Sequence, residues 1–302
     1  MSEVAAHSRR PLPAPRTGGW WRHFGRRRGA YLWLLLPAVS FLAVFFVYPL
    51  VEIILRSFPD SSLSFYQRIF TSTLYVRVIG ETFKTSALVM VICLLLAYPY
   101  AYAMAHASRH VLVVLAIALL LPFWVSLLLR TFSWLILLQN TGLINKALMG
   151  LGLIDAPLPL IRNQTGVVIG MVHILLPYAV LPLYAVMRKI DGRLMEASSI
   201  CGAGWGRSFV RVYFPLSLPG VYAGALLTFT LSLGFYITPA LLGGPRDTMI
   251  AQLIAIQVSE QLNFGQASAL AVVLLVFTAA AFGLFGLLLS FGAKARRRAV
   301  VA

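Results

Sequence analysis

The sequence is poor in charged residues, and in acidic ones above all. Only 11% of its 302 residues are charged, and nine acids stand against 25 lysines and arginines. Soluble domains usually carry about 25% charged residues. Because 60% of the residues are hydrophobic, a water-soluble fold of this length could not bury its apolar surface. The composition therefore predicts a protein that spans a lipid bilayer.

Motifs for catalysis are also missing from the sequence. None of the four lysines follows a glycine, so there is no GxxxxGK[ST] phosphate-binding loop. No set of His, Cys, Asp and Glu has metal-site spacing, and no GxSxG motif occurs. We expect no catalytic residue, no metal site and no directly bound cofactor. Nucleic acid is not an expected partner, because the basic residues flank apolar runs instead of forming one folded face.

Six apolar runs reach the roughly 20 residues needed to cross a bilayer. They lie at about 32–53, 84–105, 111–137, 165–187, 219–242 and 268–291. The third is too long for one straight crossing and contains Pro122, which predicts a kink or a broken helix. Pro99, Pro177 and Pro182 mark similar weak points. The pattern predicts an all-α polytopic membrane protein with a six-helix domain at 31–292, between basic tails at 1–30 and 293–302.

The distribution of basic residues predicts the orientation of the chain. With both termini inside, the inner segments hold seventeen lysines and arginines and the outer loops hold six. Excess positive charge marks the cytoplasmic side of a membrane protein. Both tails share this excess, which requires an even number of crossings. We therefore expect a multi-pass protein of a bacterial inner membrane, with both termini cytoplasmic.

The long inner loop at 188–218 carries the most informative motif. It contains MEASSICGAGWGRSFVRVYFPLSLPG (195–220), in which three glycines form a turn-prone centre. Phe209, Val212 and Tyr213 fall on one apolar stripe of a short helix. An amphipathic helix resting on the inner leaflet is one interpretation, although the glycines and prolines interrupt the segment where a surface helix would be continuous.

This segment resembles the signature loop of binding-protein-dependent ABC importer permeases. The family pattern is Glu-Ala-Ala, a glycine after three residues, and then Ile-x-Leu-Pro. The matching positions, which include three departures at Ser198, Val212 and Phe214, are Glu196, Ala197, Ser198, Gly202, Val212, Tyr213, Phe214 and Pro215. In that family the loop docks into a groove of the ATPase subunit. The resemblance implies a coupling role for Glu196, Ala197, Ser198, Gly202, Ala203, Phe209 and Pro215.

Four further segments extend the resemblance across roughly residues 31–290, with a family-like core at about 81–290. They are AYPYAYAMA (97–105), LPFWVSLLLRTFSWLILLQNTGLIN (121–145), ILLPYAVLPLY (174–184) and TPALLGGP (238–245). They resemble the spermidine/putrescine branch, and its first permease subunit in particular. The resemblance implies a type I ABC importer permease fold and transport of a polyamine. It also implies a second permease subunit, two cytosolic ATPase subunits that hydrolyse ATP, and a periplasmic binding protein.

Other functions remain open from the residues alone. The solute could instead be an amino acid derivative, a phosphonate or an opine-like compound. An ion-coupled secondary transporter would need carboxylates in the spans and usually repeat symmetry, and neither is visible. A non-transporting membrane scaffold is the third alternative, for which the signature loop would be accidental.

Polar and aromatic residues in the apolar runs are candidates for a pathway or gate. Counted from Val111 along a straight helix, Arg130 falls near the outer boundary, where it could serve a gate or snorkel to headgroups. Aromatic rings could line a path for an ammonium ion, or simply pack. His173 is more often a packing residue than a ligand. The candidates are Phe123, Trp124, Arg130, Trp134, Phe235, Tyr236, Thr238 and Pro239.

Overall fold

The computed structural model describes the backbone of residues 28–58 and 62–301 and the side chains of residues 35–58 and 62–287. All regular elements in these ranges are helices. They are α1 (Arg28–Leu42), a π-helical turn (Ala43–Val47), α2 (Tyr48–Arg56), α3 (Ser64–Thr71), α4 (Thr73–His106), α5 (Arg109–Leu120), a 3-10 turn (Leu121–Trp124), α6 (Leu127–Leu138), α7 (Leu143–Gly150), α8 (Gln164–Met187), α9 (Arg193–Ile200), α10 (Trp205–Ser208), a π-helical turn (Phe209–Tyr213), α11 (Phe214–Leu233), α12 (Ile237–Leu242), α13 (Ile250–Ser259) and α14 (Phe264–Val301).

Within the described ranges, six helical stretches are long and apolar enough to cross a membrane. They are Leu35–Arg56, Thr73–His106, Leu127–Gly150, Gln164–Met187, Trp205–Leu233 and Phe264–Leu287. The number agrees with the prediction. The second stretch begins about three helical turns earlier than expected, at residue 73 instead of 84. Helix α14 continues through most of the predicted 293–302 tail. Most of the predicted 1–30 tail lies outside the described residues.

The chain divides into two compact units, residues 1–52 and 53–302. In the first unit, the described side chains from residue 35 to residue 49 are all exposed. They are almost all apolar, which suits a helix surrounded by lipid or by another subunit.

Helices α4, α8 and α11 form the core of the second unit. Cys93 Sγ on α4 lies 3.7 Å from the Val172 carbonyl on α8, and Gln164 at the start of α8 donates to Thr85 Oγ1 on α4 at 3.3 Å. Residue numbers increase in the same direction along both helices in these two contacts, so α4 and α8 are parallel. The buried residues of α8 cover most of its circumference, as expected for the central helix of a bundle.

Helix α11 runs antiparallel to α4 and packs closely on α8. Tyr98 near the end of α4 shares a hydrogen bond of 2.9 Å with Ser217 near the start of α11. A Cβ at Gly220 would lie 3.0 Å from the Leu183 Cα, and one at Gly224 would lie 3.0 Å from the Ala179 carbonyl oxygen. Small residues at such contacts let two helix backbones approach each other in a membrane.

Helices α3, α13 and α14 pack around the first half of α4 in a second apolar cluster. One hydrogen bond anchors α13 there: the Thr82 hydroxyl on α4 accepts from the Ile250 amide at 2.9 Å. The same hydroxyl donates to the Val78 carbonyl at 2.7 Å. Because Thr82 and Ile250 are fully buried, this backbone amide depends on Thr82 for its partner.

The third apolar run is broken, as Pro122 predicts. Helix α5 ends at Leu120, a 3-10 turn carries Pro122, and the chain is extended at Val125 before α6 begins. Proline supplies no amide for the next helical turn, which explains the change of helix type. The predicted break is therefore confirmed, and the run is not one straight helix over 111–137. The stretch that qualifies by length is Leu127–Gly150, and Arg109–Trp124 is a shorter apolar helix.

The fifth run also ends earlier than expected. Helix α11 stops at Leu233, and the short helix α12 follows after the break at Gly234–Tyr236. The predicted span 219–242 therefore joins two separate helices. Pro99, Pro177 and Pro182 have the opposite outcome, since α4 and α8 continue through them as α-helices. Packing on both sides of these helices outweighs one lost backbone hydrogen bond each.

Candidate coupling loop and membrane-embedded cluster

The segment 188–218 forms two short helices joined by a sharp turn. Helix α9 ends at Ile200 and leads into Cys201 and Gly202. The Gly202 amide donates to the Ser199 carbonyl at 3.0 Å, and the Ala203 amide donates to the Ser198 carbonyl at 3.1 Å. This pair of hydrogen bonds defines a Schellman C-cap, which requires a left-handed residue at its centre.

Gly202 supplies that left-handed residue, with φ of +82°. Among the residues that the structure describes, no atom lies within 4 Å of the position that a Cβ would take at Gly202. The glycine is therefore required by the backbone conformation and not by close packing inside the chain.

A hydroxyl pair holds α9 against α10. Ser198 Oγ donates to Ser208 Oγ at 2.5 Å, and Ser208 Oγ lies 3.5 Å from the Ala203 carbonyl oxygen. Ser208 is buried. Ser198 is one of the three departures from the family pattern, and an alanine there could not make this hydrogen bond. The departure thus gives the two helices an additional contact.

The outer surface of this turn combines one carboxylate with exposed apolar groups. Glu196 and Ala197 on α9 are exposed. Ile200 is 87% exposed and Trp205 is 67% exposed. Large apolar side chains bordering a charged group are typical of a protein interaction surface. We call this set the loop surface: Glu196, Ala197, Ile200 and Trp205.

The other side of the segment packs on α4 through rings. We call the following residues the aromatic cluster: Tyr98, Tyr102 and His106 of α4, with Trp205, Phe209 and Tyr213 of the loop segment. The Phe209 ring lies between Trp205 and Tyr213, with centroid separations of 5.4 and 5.6 Å. It also meets Tyr102 edge-on at 5.9 Å and Tyr98 at 6.1 Å.

Tyr213 closes the aromatic cluster from the α11 side. Its ring lies 5.2 Å from Tyr102 and 5.6 Å from His106, and the residue is only 3% exposed. Phe209 and Tyr213 therefore face protein and not a lipid leaflet, which disfavours the surface-helix interpretation. Pro215 stands at the start of α11, directly after the π-helical turn that leads into this helix.

Three pairs of contacts join several of the predicted pathway residues to neighbouring helices. Thr131 on α6 lies 3.4 Å from Thr238 on α12, measured between the hydroxyl oxygens. Trp134 Nε1 donates to His173 Nδ1 on α8 at 3.1 Å. Phe123 packs on Tyr178 with a centroid separation of 5.3 Å. The structure thus brings α6, α8 and α12 into contact around these residues.

The remaining pathway candidates differ in how far they are buried. Pro239 is buried beside Thr238, and Phe235 packs against the main core. Trp124 is 91% exposed and Tyr236 is 45% exposed, so within this chain neither belongs to the α6–α8–α12 contact.

Arg130 stands on α6, after the break at Leu121–Trp124, and is half-buried. Trp134, one helical turn further along α6, bonds to His173, which stands nine residues, or about 14 Å, from the start of α8 and fourteen residues, or about 21 Å, from its end. The count from Val111 assumed one uninterrupted helix, which the break excludes. A position of Arg130 near the outer boundary stays a prediction.

No family model matches this chain. The spermidine/putrescine transport system permease protein PotB of Haemophilus influenzae is 31% identical over 249 residues, which cover 80% of this chain and 83% of the relative. PotB of Escherichia coli K12 is 31% identical over 233 residues, covering 74% and 85%. This chain belongs to the ABC importer permease family that contains PotB.

A solved structure supports the fold of the permease. A bacterial alginate ABC transporter, crystallised with its alginate pentasaccharide-bound periplasmic protein, contains a chain with a TM-score of 0.69 and 16% identity, covering 92% of this chain and 97% of that one. At this identity the likeness concerns the fold alone. The predicted six-helix importer permease fold and the predicted family are confirmed.

Sequence reasoning missed the α4 half of the aromatic cluster in the permease. The segment AYPYAYAMA resembles the permease family, but its sequence alone indicated no role for Tyr98, Tyr102 and His106. A signal was present, because the three rings stand four residues apart and so share one face of a helix. The partner of His173 had no such signal, since Trp134 lies 39 residues away in sequence.

Proposed function

We propose that this permease imports a polyamine of the putrescine or spermidine class. In this proposal it pairs with a second permease subunit, which is a different chain, and it receives the solute from a periplasmic binding protein. The similarity to PotB over most of both chains supports the solute class. Two cytosolic ATPase subunits supply the energy, since the sequence contains no phosphate-binding loop.

The loop surface is the part of this permease that we assign to the ATPase subunit. The geometry of this turn is the observation that carries the proposal. A Schellman cap at Gly202 and the Ser198–Ser208 hydrogen bond fix the angle between α9 and α10. Glu196 and Ala197 stay exposed beside large apolar side chains. A rigid projection of this kind can enter a groove on another subunit and transmit its movement.

The assignment of the loop surface to the ATPase subunit also gives the orientation of the permease in the membrane. The ends of α4 and α8 and the start of α11 meet at the end of the bundle that carries the loop surface, because α4 and α8 are parallel and α11 is antiparallel to α4. Basic residues are concentrated at this end, among them Arg109, Arg188, Lys189 and Arg193. Positive charge favours the cytoplasmic side. We therefore place this end, and both chain termini, in the cytoplasm.

The aromatic cluster provides a route from the loop surface into the membrane. Trp205 belongs both to the loop surface and to the cluster, and it stacks on Phe209. Phe209 in turn meets two rings of α4. Packed rings cannot be displaced independently without losing contacts of about 0.5–1.5 kcal/mol per pair. A movement of α9 and α10 is thus passed to α4 as well as along the chain to α11.

The residues around α6, α8 and α12 are the proposed pathway and gate. Phe123, Trp134, Phe235 and Thr238 lie on or beside the contacts between these helices. Aromatic faces attract ammonium groups through the ring quadrupole. Trp124 and Tyr236, which are exposed in the single chain, and buried Pro239 stay predictions for the same region.

Reconstitution of the whole importer tests the proposed function. The permease would be co-expressed with the second permease, the ATPase and the binding protein, and uptake of labelled putrescine and spermidine measured in proteoliposomes. We expect uptake only with ATP and binding protein present, and competition by polyamines but not by a phosphonate. Uptake driven by an ion gradient without ATPase would contradict the proposal and favour a secondary transporter.

A charge reversal on the loop surface tests the ATPase contact. Glu196→Lys should lower ATP-driven uptake at least tenfold while the protein still inserts, because it reverses the charge offered to the partner groove. Glu260→Lys is the matched control, since Glu260 is exposed outside the loop segment. Normal uptake by Glu196→Lys, or an equal loss in both variants, would remove the coupling assignment.

A further inference from the structure

Arg130 is a half-buried cation to which the described part of the chain offers no counter-charge. Its Nε is buried and makes no hydrogen bond, and no described residue forms an ion pair with its guanidinium. Helices α5, α6, α8, α11 and α12 contain no aspartate or glutamate at all. An arginine at membrane depth without a partner is costly, so a partner from outside the chain is expected.

Trp134, one helical turn after Arg130, holds His173, which presents a second hydrogen-bond donor. The indole of Trp134 can only donate, so its hydrogen bond to His173 Nδ1 fixes that nitrogen as an acceptor. The neutral ring then carries its proton on Nε2, and no described residue accepts from it. Arg130 and Trp134 stand four residues apart on α6, on neighbouring turns of one face.

The three side chains therefore offer hydrogen-bond donors, and no described residue supplies a carboxylate to them. All three are half-buried, so the site reaches an edge of the chain where another group can enter. Simple snorkelling does not account for Arg130, because its Nε is buried inside the protein and makes no hydrogen bond. A carboxylate matches the site best, since it accepts two hydrogen bonds and neutralises the guanidinium.

We propose that Arg130 and His173 bind an acidic side chain of the second permease subunit, with Trp134 holding the His173 ring in position. This rests on the proposed function, because a polyamine offers ammonium groups and no carboxylate. The solute therefore cannot supply the acceptor, and a free guanidinium would repel it. The ion pair between the two permeases removes that repulsion and joins α6 and α8 to the partner chain.

A set of substitutions in the full importer tests the need for the charge. Arg130→Gln should lower uptake at least tenfold and reduce the amount of second permease that co-purifies in detergent, and Arg130→Lys should retain part of both. Lys146→Gln is the control, because Lys146 is an exposed cation on α7. Arg130→Gln with more than half of the normal uptake and co-purification would overturn the inference.

A reciprocal charge exchange identifies the partner group. Each membrane aspartate or glutamate of the second permease would be changed to arginine in the Arg130→Glu background. We expect one exchange to restore uptake at least tenfold over Arg130→Glu alone, and restoration by none would overturn the inference. If Arg130→Gln loses uptake of an amino-carboxylate but keeps that of diamines, the carboxylate belongs to a solute and the partner assignment is wrong.

Failure of this inference is distinguishable from failure of the proposed function. Co-purification of the two permeases does not depend on which solute is carried. An importer that carries no polyamine but shows the reciprocal rescue of co-purification would keep the Arg130 contact and lose the solute assignment. An importer that carries polyamine and is unaffected by the Arg130 variants would keep the solute assignment and lose the Arg130 contact.

Discussion

Substitution of Gly202 separates two explanations for a glycine at the turn of the loop surface. Either the backbone needs a left-handed residue, or the ATPase subunit needs space there. The φ of +82° costs an ordinary residue about 1–2 kcal/mol, whereas asparagine adopts this region more readily. The empty surroundings of Gly202 within the chain add no steric cost inside the permease itself.

The backbone explanation gives a definite order of variants. About 1–2 kcal/mol shifts the balance between the formed and the broken turn roughly 5- to 30-fold. We expect ATP-driven uptake to fall in the order Gly202, Gly202→Asn, Gly202→Ala and Gly202→Val, with valine worst because it is β-branched. Gly206→Ala serves as the control, because Gly206 lies in helix α10 and has equally open surroundings.

Uptake in proteoliposomes, divided by ATP hydrolysed, is the assay for this series. The decisive comparison is between asparagine and alanine. If space for the ATPase subunit were the requirement, the smaller alanine would retain more uptake than asparagine. Alanine above asparagine, or a loss in Gly206→Ala as large as in Gly202→Ala, would refute the backbone explanation.

Two further predictions concern contacts within the permease. Phe209→Ala should lower uptake per ATP at least tenfold while ATP hydrolysis persists, because it removes the ring between the loop and α4. The control Val210→Ala, which changes the exposed neighbouring residue, should leave uptake per ATP unchanged. Equal effects of the two variants would contradict the role of the aromatic cluster. Thr82→Val should lower the free energy of unfolding by about 1–3 kcal/mol, since it strands the buried Ile250 amide. Thr82→Ser should lose less in the same denaturation experiment, and a valine variant as stable as the serine variant would show the hydrogen bond to be unimportant.

The sequence was sufficient for features that depend on local chemistry. Pro122 predicts the break in the third apolar run because proline lacks an amide at any depth in a membrane. Gly202 lies at the centre of the predicted turn for an equally local reason. The number of spans follows from the length of apolar runs, which reflects the thickness of the bilayer and not the packing of the chain.

Features set by packing between distant segments could not be read in this way. Pro177 and Pro182 leave α8 intact because helices on several sides support it, and nothing in the local sequence indicates that support. The hydrogen bond from Trp134 to His173 joins two different helices. The direction in which α6 carries Arg130 depends on the geometry of the break before it, which the position of Pro122 alone does not specify.

Because a Cβ has no free room against α8 at Gly220 and Gly224, we expect α11 to tilt about this contact. About 9 Å of helix lies between Gly220 and the loop end at Phe214, and about 14 Å lies between Gly224 and Leu233 at the opposite end. A stiff rod held at such a point tilts as a whole. A small displacement of the Phe214 end would therefore move the Leu233 end in the opposite direction by about one and a half times as much. The Leu233 end lies next to the break that leads into α12.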